Sequence, residues 1–292
     1  MIGNIARVLL CAALVPEFVA ACVAQEVRYT HFQVPNSVLT TAIGINNAGD
    51  VVGFYSGNAD SGGFTFIAGQ FSDFNDPEEL LPGSTVPYAI NTTGEIVGDY
   101  YIGDNQRRAF LYTGGKFYDI KIPGHVVYSQ ADGINNSGQI VGMYNGGGGH
   151  LWHGYSYDRT SGTFTTIDVP GAYYTWCAGI NDHGEVALFS EDAGATIQHA
   201  WLYDGGQLTN IDVPGYDSTV AEGINNAGAV TLIAVQGFYN FGFVYQAGEY
   251  TAVGLPGALS NELRGINDHG QLVGNFFFSE KGEGSFLATL PQ

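Results

Sequence analysis

The segment that decides the fold reads GINNSGQIVG, from Gly133 to Gly142. Its Ile-Asn-x-x-Gly element occurs six times in order, and glycine precedes it in every copy except the second, which has Ala89. The intervals between successive copies are 45, 44, 46, 44 and 42 residues. A nearly constant period of this length is typical of a repeat architecture. We number the copies one to six by their isoleucines: Ile45, Ile90, Ile134, Ile180, Ile224 and Ile266.

Each copy predicts four short antiparallel strands. A turn closed by glycine follows the Ile-Asn segment, and an apolar stretch such as Gln139–Tyr144 comes next. An aromatic segment such as Ala109–Tyr112 and a fourth segment such as Gly162–Val169 complete the copy. The asparagine can cap its own turn, and the glycine three residues later accepts a positive φ. We therefore assign the six asparagines to the turns before any ligand.

Four strands in 42 to 46 residues match one blade of a β-propeller. After Ile266 the chain has room for only the second and third strands of the last copy, whereas Val27–Asn36 carries the fourth-strand pattern. The sequence therefore predicts an all-β, six-bladed β-propeller with four antiparallel strands per blade, closed by pairing of the N-terminal strand with the last blade. Residues 25–292 would form this single domain.

The repeated element, together with strands such as His199-Ala200-Trp201, resembles the bacterial extracellular HAF-repeat proteins. The resemblance covers about residues 27 to 290. It implies a secreted repeat protein of propeller type, and it implies no particular activity.

Residues 1–24 are predicted to be an export signal. A basic residue precedes the apolar run Val8–Val15, and small residues follow up to Ala24. Cleavage after Ala24 would release a soluble protein into a secreted, periplasmic or extracellular location. The sequence VAAC, ending at Cys22, resembles a lipoprotein box, so an outer-membrane lipoprotein anchored at Cys22 is the alternative. We favour the first cleavage.

The acidic balance of the chain excludes several partners. The sequence has 28 Asp+Glu against 9 Lys+Arg, a formal net charge of −19. Such a chain offers no basic surface for phosphates, so we expect no nucleic-acid partner. The apolar run of the signal is too short for a transmembrane span. We expect a monomer without cofactor or metal, with Cys177 as a core residue.

Loops on one face of the predicted propeller differ most between copies. They connect each fourth strand to the next first strand, and each second strand to the third; we call this side the variable face. Aromatic side chains in these loops could stack on sugars or form hydrogen bonds. They predict a binding or adhesion module for an extracellular glycan or a cell-surface protein, with these candidate residues: Tyr128, Tyr173, Tyr174, Trp176, Tyr216 and Tyr239. Packing of the same residues within the loops is the alternative.

The residue before the Gly-Ile-Asn element varies in an unusual way, from isoleucine to arginine. Three of the six are charged, and on innermost strands they would form a ring at the mouth of a central channel. Asp132, Glu222 and Arg264 are therefore the candidates if the protein is instead a hydrolase or lyase. A solvated channel lining and a purely structural envelope scaffold are the other open interpretations. The six positions are Ile43, Tyr88, Asp132, Ala178, Glu222 and Arg264.

Overall fold

The computed structural model describes residues 7–9, 26–58, 60–124, 126–146, 152–194, 196–279 and 282–290. Apart from residues 7–9, the predicted export signal lies outside these ranges, as does Cys22. The described residues form strands, turns and irregular segments, without helices. In particular, no described helix could cross a membrane.

The described residues form 25 strands, which we number in chain order. They are β1 (Arg7–Leu9), β2 (Glu26–Phe32), β3 (Leu39–Ile45), β4 (Val51–Ser56), β5 (Ser61–Ile67), β6 (Gln70–Phe74), β7 (Val86–Ile90), β8 (Ile96–Gly103), β9 (Gln106–Thr113), β10 (Lys116–Asp119), β11 (Tyr128–Ile134), β12 (Gln139–Asn145), β13 (Trp152–Asp158), β14 (Thr163–Ile167), β15 (Ala172–Ile180), β16 (Val186–Asp192), β17 (Gln198–Asp204), β18 (Gln207–Asn210), β19 (Ser218–Ile224), β20 (Val230–Gln236), β21 (Tyr239–Gln246), β22 (Glu249–Ala252), β23 (Ser260–Ile266), β24 (Gln271–Phe278) and β25 (Gly282–Thr289).

Antiparallel pairing of consecutive strands builds the sheets. Strands β3–β6, β7–β10 and β19–β22 form three separate four-stranded sheets. Copies three and four, β11–β14 and β15–β18, are joined by one parallel contact between Trp152 and Tyr174. The last sheet has the order β1-β2-β25-β24-β23, with Arg28 of β2 opposite Thr289 of β25. The first strands of successive copies contact one another, and β23 contacts β3. The predicted all-β propeller arrangement is confirmed.

A ring of asparagines links the first strands, which we call inner strands. In Asn225, Oδ1 accepts hydrogen bonds from the backbone N–H groups of Ala227 (3.0 Å) and Ala229 (2.9 Å), which is the predicted turn cap. Its Nδ2 donates to the backbone carbonyl of Asn267 in the next copy, at 3.1 Å. The other five asparagines make the same bond at 2.8 to 3.3 Å, and the bond from Asn267 to Asn46 closes the ring. All six side chains are buried.

Close approach of the inner strands explains the glycine that precedes the Ile-Asn element in five of the six copies. A Cβ added at Gly223 would lie 2.7 Å from the carbonyl oxygen of Arg264, and one at Gly265 would lie 2.7 Å from that of Ile43. A side chain there would force neighbouring copies apart. The glycine that closes each turn has a different requirement, since its φ is positive, as at Gly228 (73°).

A β-bulge interrupts each inner strand at the residue before this glycine position. The strand register skips that residue in copies one to four, and in copies five and six it skips the glycine as well. A bulge leaves its residue unpaired and redirects the side chain. The bulged residues are the variable positions identified from the sequence: Ile43, Tyr88, Asp132, Ala178, Glu222 and Arg264.

Apolar side chains from neighbouring copies form the core between the sheets. Val97 and Ala109 of copy two, for example, pack with Ile140 and Tyr155 of copy three. Cys177 is buried in a cluster of this kind, and burial raises the pKa of its thiol. The predicted core position of Cys177 is confirmed.

Substituting Asn225 by aspartate tests the asparagine ring. The carboxylate can keep the two turn bonds, but it loses the donor to Asn267 and faces a carbonyl oxygen instead. We expect Asn225→Asp to lower the free energy of unfolding by about 2–4 kcal/mol in chemical denaturation. The control is Gln207→Glu, the same change of amide to carboxylate at an exposed side chain. An effect no larger than that of the control would contradict the role of the ring.

Candidate functional site

A cavity of about 650 Å³ lies where the six inner strands converge. All six bulged residues contribute to its lining, so the variable sequence positions share one space. The lining also includes Ser260 at the start of an inner strand, Gln198 at the start of a third strand and Phe277 near the end of a second strand. These strand ends border the loops of the variable face. The cavity therefore extends along the axis to that face.

Asp132 is the most unusual side chain of the lining. It is only 8% exposed, and its Oδ1 accepts a hydrogen bond from Gln130 Nε2 at 2.7 Å. Its Oδ2 is buried and accepts no hydrogen bond of regular geometry among the described residues, although the Trp176 side chain approaches the carboxylate as a donor. Burial raises the pKa of Asp132 well above its usual value, and the charges of Asp99 and Glu222 raise it further. Side-chain hydrogen bonding to Gln130 and Trp176 acts in the opposite direction. Burial thus disfavours the ionised form of Asp132.

Glu222 and Arg264, the other two candidates of the enzyme hypothesis, are bound to each other. Arg264 donates from Nη1 to Glu222 Oε1 (2.6 Å) and from Nη2 to Glu262 Oε2 (2.8 Å). Burial opposes the charge of Arg264, but the two carboxylates raise its pKa overall. Burial also raises the pKa of Glu222, although Arg264 acts in the opposite direction. Asp132 takes no part in these ion pairs.

Aromatic side chains form part of the cavity wall beside Asp132. Trp176 stacks on Phe189 with ring centroids 5.3 Å apart and an angle of 27° between the planes. Both residues line the cavity, as does Tyr88. The cavity thus combines flat apolar surfaces with buried polar groups, which is the usual composition of a small-molecule site.

Among the six predicted aromatic ligand residues, Trp176 alone belongs to this lining. Tyr128 lies outside the lining. Its hydroxyl donates to Gln130 Oε1 at 3.3 Å, and its ring packs against Trp152. Tyr174 accepts a hydrogen bond from Gln198 at 2.9 Å. These two tyrosines support cavity residues, and the structure gives them no place in the lining.

The remaining three tyrosines lie apart from the cavity. Tyr216 packs against Phe241 and Phe243 in the core between sheets. Tyr173 is half-buried on β15, and Tyr239 is 47% exposed at the start of β21. The structure does not bring the six predicted aromatic residues together into one surface.

Gln130 and Glu262 are among the cavity residues that the sequence reasoning missed. Gln130 lies two residues before the bulged Asp132, and Glu262 lies two residues before the bulged Arg264. Residues two apart on a strand point to the same face, so this spacing was the available signal. Among the residues that the structure describes, no group of three His, Cys, Asp or Glu side chains could hold a metal ion.

No family model matches this chain, and no curated protein does. Solved structures do match. A gluconolactonase from Xanthomonas campestris has a TM-score of 0.59 at 12% identity, covering 100% of this chain and 98% of that one. The β-propeller domain of the trilobed protease from Pyrococcus furiosus, with an open velcro topology, has a TM-score of 0.53 at 10% identity, covering 90% and 87%. The SapL1 lectin in complex with alpha methyl fucoside has a TM-score of 0.53 at 11% identity, covering 84% and 89%.

The chain has a β-propeller fold. At identities of 10 to 12% these likenesses show the fold alone. The evidence for the function of this propeller therefore lies in its own cavity.

Burial of Asp132 should reduce the stability of the propeller at neutral pH. Its pKa is higher in the folded chain than in the unfolded chain, so the folded state binds the proton more tightly. Stability contributed by this group therefore falls as the pH rises from about 4 through the folded-state pKa. We expect Asp132→Asn to increase the free energy of unfolding by about 1–3 kcal/mol at pH 8 and to weaken its pH dependence.

The measurement is denaturant unfolding at several pH values between 5 and 8. Asp204→Asn, at an exposed aspartate, is the control and should change little. A loss of stability in Asp132→Asn at pH 8 would mean that the carboxylate is a structural group.

Proposed function

We propose that this protein is an exported, six-bladed β-propeller that binds an extracellular glycan in its axial cavity. The observation that carries the proposal is the buried, unpartnered Oδ2 atom of Asp132 in a cavity of about 650 Å³ with an aromatic wall. Leaving a buried polar atom without a partner costs about 1–3 kcal/mol. A ligand that binds there would recover this energy.

The repeat and the hydrogen-bond ring support a count of six blades. Each copy supplies one inner strand and one asparagine, and the sixth asparagine bonds back to the first. Strand β2 then serves as the fourth strand of the last blade through its pairing with β25. On this proposal the termini close the propeller, and β25 has a partner strand on both sides, β2 and β24.

A glycan suits the chemistry of the cavity better than a purely apolar ligand. The Trp176 ring offers a flat surface for a sugar face. Asp132, Gln198 and Asn240 in the lining offer donors and acceptors for hydroxyl groups. The cavity volume lies within the range of small-molecule sites. A lectin in complex with alpha methyl fucoside shares the fold, which supports the proposal by analogy.

The family and the location belong to the same proposal. The six ordered Ile-Asn-x-x-Gly elements support membership of the bacterial extracellular HAF-repeat proteins. The signal in residues 1–24 supports export, as a soluble protein in preference to a lipoprotein. Cleavage after Ala24 would leave β2 intact for pairing with β25.

Export can be tested by expressing the full chain in a Gram-negative host and measuring the intact mass of the mature protein. We expect an N-terminus at Gln25 in the soluble fraction. A Cys22→Ala variant is the control, and it should be processed and released in the same way. A mature protein that begins with lipid-modified Cys22 and partitions into detergent would contradict soluble export.

A second candidate function uses the same cavity. Asp132 and Glu222 both have carboxyl pKa values raised by burial, an environment that suits a general acid. The candidate is a hydrolase or lyase acting on a bound glycan. It predicts that new reducing ends or unsaturated products appear during incubation and that Glu222→Gln abolishes them.

Glycan binding is tested first with a glycan array and then by calorimetry with the strongest ligand. Products released from the glycans are measured in the same incubations. We expect Trp176→Ala to weaken binding at least tenfold, about 1.4 kcal/mol, because it removes the stacking surface. Tyr118→Ala, which removes a 51% exposed aromatic ring on β10, is the control and should bind like the parent. Unfolding curves exclude a general loss of structure. Unchanged affinity in Trp176→Ala would contradict the site.

A further inference from the structure

We propose that the axial cavity selects glycans that carry a free ammonium group and that Asp132 is the residue that pairs with it. This inference rests on the proposed function, because it names the ligand class for the same cavity. An amino sugar with an unmodified amine is the simplest member of the class.

The charges of the lining favour a cation. The described lining residues include four carboxylates, of Asp132, Glu222, Glu262 and Glu283, against the single guanidinium of Arg264. The lining therefore has a formal charge of −3 when all five groups are ionised. A channel walled by protein strengthens such a field relative to open solvent. An ammonium group is attracted to this cavity, and a uronate or another acidic sugar is repelled.

Arg264 is not available to receive an acidic ligand. Its two Nη atoms are already bound to Glu222 and Glu262, and Asn240 Nδ2 holds the other oxygen of Glu262 at 2.7 Å. A ligand carboxylate would have to displace one of these partners. Arg264 Nε, which is buried and unpartnered, remains as a donor for a neutral hydroxyl group.

Asp132 differs from the neighbouring carboxylates in having no cationic partner among the described residues. Glu222 is paired with Arg264, and Asp99 forms two bonds of 2.7 Å with Arg107. The charges of Asp99 and Glu222 act on Asp132, and that of Asp132 raises the pKa of Tyr88, Tyr155 and Cys177. Because none of these groups is a cation, a ligand cation would complement Oδ2.

Aromatic rings beside Asp132 add a second source of attraction. The Trp176 side chain approaches the Asp132 carboxylate as a hydrogen-bond donor, and the charge of Asp132 helps to raise the pKa of Tyr88. An ammonium ion over the face of an aromatic ring is attracted by the ring quadrupole, more strongly where both groups are desolvated. A carboxylate between two aromatic side chains is thus a better site for an ammonium group than for a hydroxyl group alone.

An internal water molecule is the competing occupant of this space. Tyr155 OH is also buried without a described hydrogen-bond partner, and its charge interacts with that of Asp132. A water bridging the two atoms would make Asp132 a structural group. Tyr155→Phe removes the second anchor of such a bridge but leaves the cavity lining unchanged, so it separates the two explanations.

Asp132→Asn is the decisive variant because an amide has the shape of the protonated acid. It keeps a hydrogen-bonding group for neutral sugars and removes the charge that an ammonium group requires. Asp204→Asn, at an exposed aspartate outside the lining, is the matched control for loss of one negative charge.

The experiment compares three trisaccharides with the mature protein by calorimetry at pH 6.5: glucosamine, N-acetylglucosamine and a uronate. We expect the glucosamine trisaccharide to bind at least tenfold more tightly than its acetylated counterpart, and the uronate to show no binding. Asp132→Asn should weaken glucosamine binding at least tenfold and N-acetylglucosamine binding less than threefold. Asp204→Asn and Tyr155→Phe should each change both affinities less than threefold.

Three outcomes would overturn the inference. Equal or tighter binding of the acetylated sugar by the parent protein would do so while leaving the proposed glycan-binding function intact. An equal loss for both sugars in Asp132→Asn and Tyr155→Phe would show that Asp132 is structural. Absence of binding for every sugar, including those of the array, would remove the proposed function itself.

Discussion

The hydrogen bond from one asparagine Nδ2 to the next asparagine carbonyl is the interaction on which the propeller depends. It draws the inner strands so close that five of the six copies have glycine beside the isoleucine, as at Gly223 and Gly265. The same asparagine caps its own turn through Oδ1, so one side chain fixes both the hairpin within a copy and the contact between copies. Because every copy uses this bond, the spacing of the strands around the axis is set independently of the rest of the repeat.

The β-bulge next to this glycine position separates scaffold from function. A bulged residue is not held by strand pairing, so its identity can change while the asparagine ring stays the same. In this chain the six bulged residues range from Ile43 to Arg264, and their side chains meet in one cavity. Asp132 occupies such a position, where burial opposes the ionisation of its carboxyl group. A buried carboxylate without a cation is difficult to explain as a structural element and simple to explain as part of a binding site.

Much of the fold could be predicted from sequence because it is periodic, whereas only part of the site could. The interval between copies predicted the strands, and the variation before each glycine predicted the cavity positions. The pairing of Arg264 with Glu222 across copies and with Glu262 within its strand depends on side-chain conformations that a sequence pattern does not determine. The predicted tyrosines show the same limit of sequence analysis. Tyr216 has the sequence context of a surface loop residue, yet its ring packs against Phe241 and Phe243.

The central claim is that the bulged positions of the propeller form a ligand site. The most direct test is a crystal structure of the mature protein soaked with the strongest glycan from an array. We expect sugar density on the axis, within hydrogen-bond distance of Asp132 Oδ2 and against the Trp176 ring. Density confined to the outer surface or between blades, with an empty axial cavity, would contradict the claim.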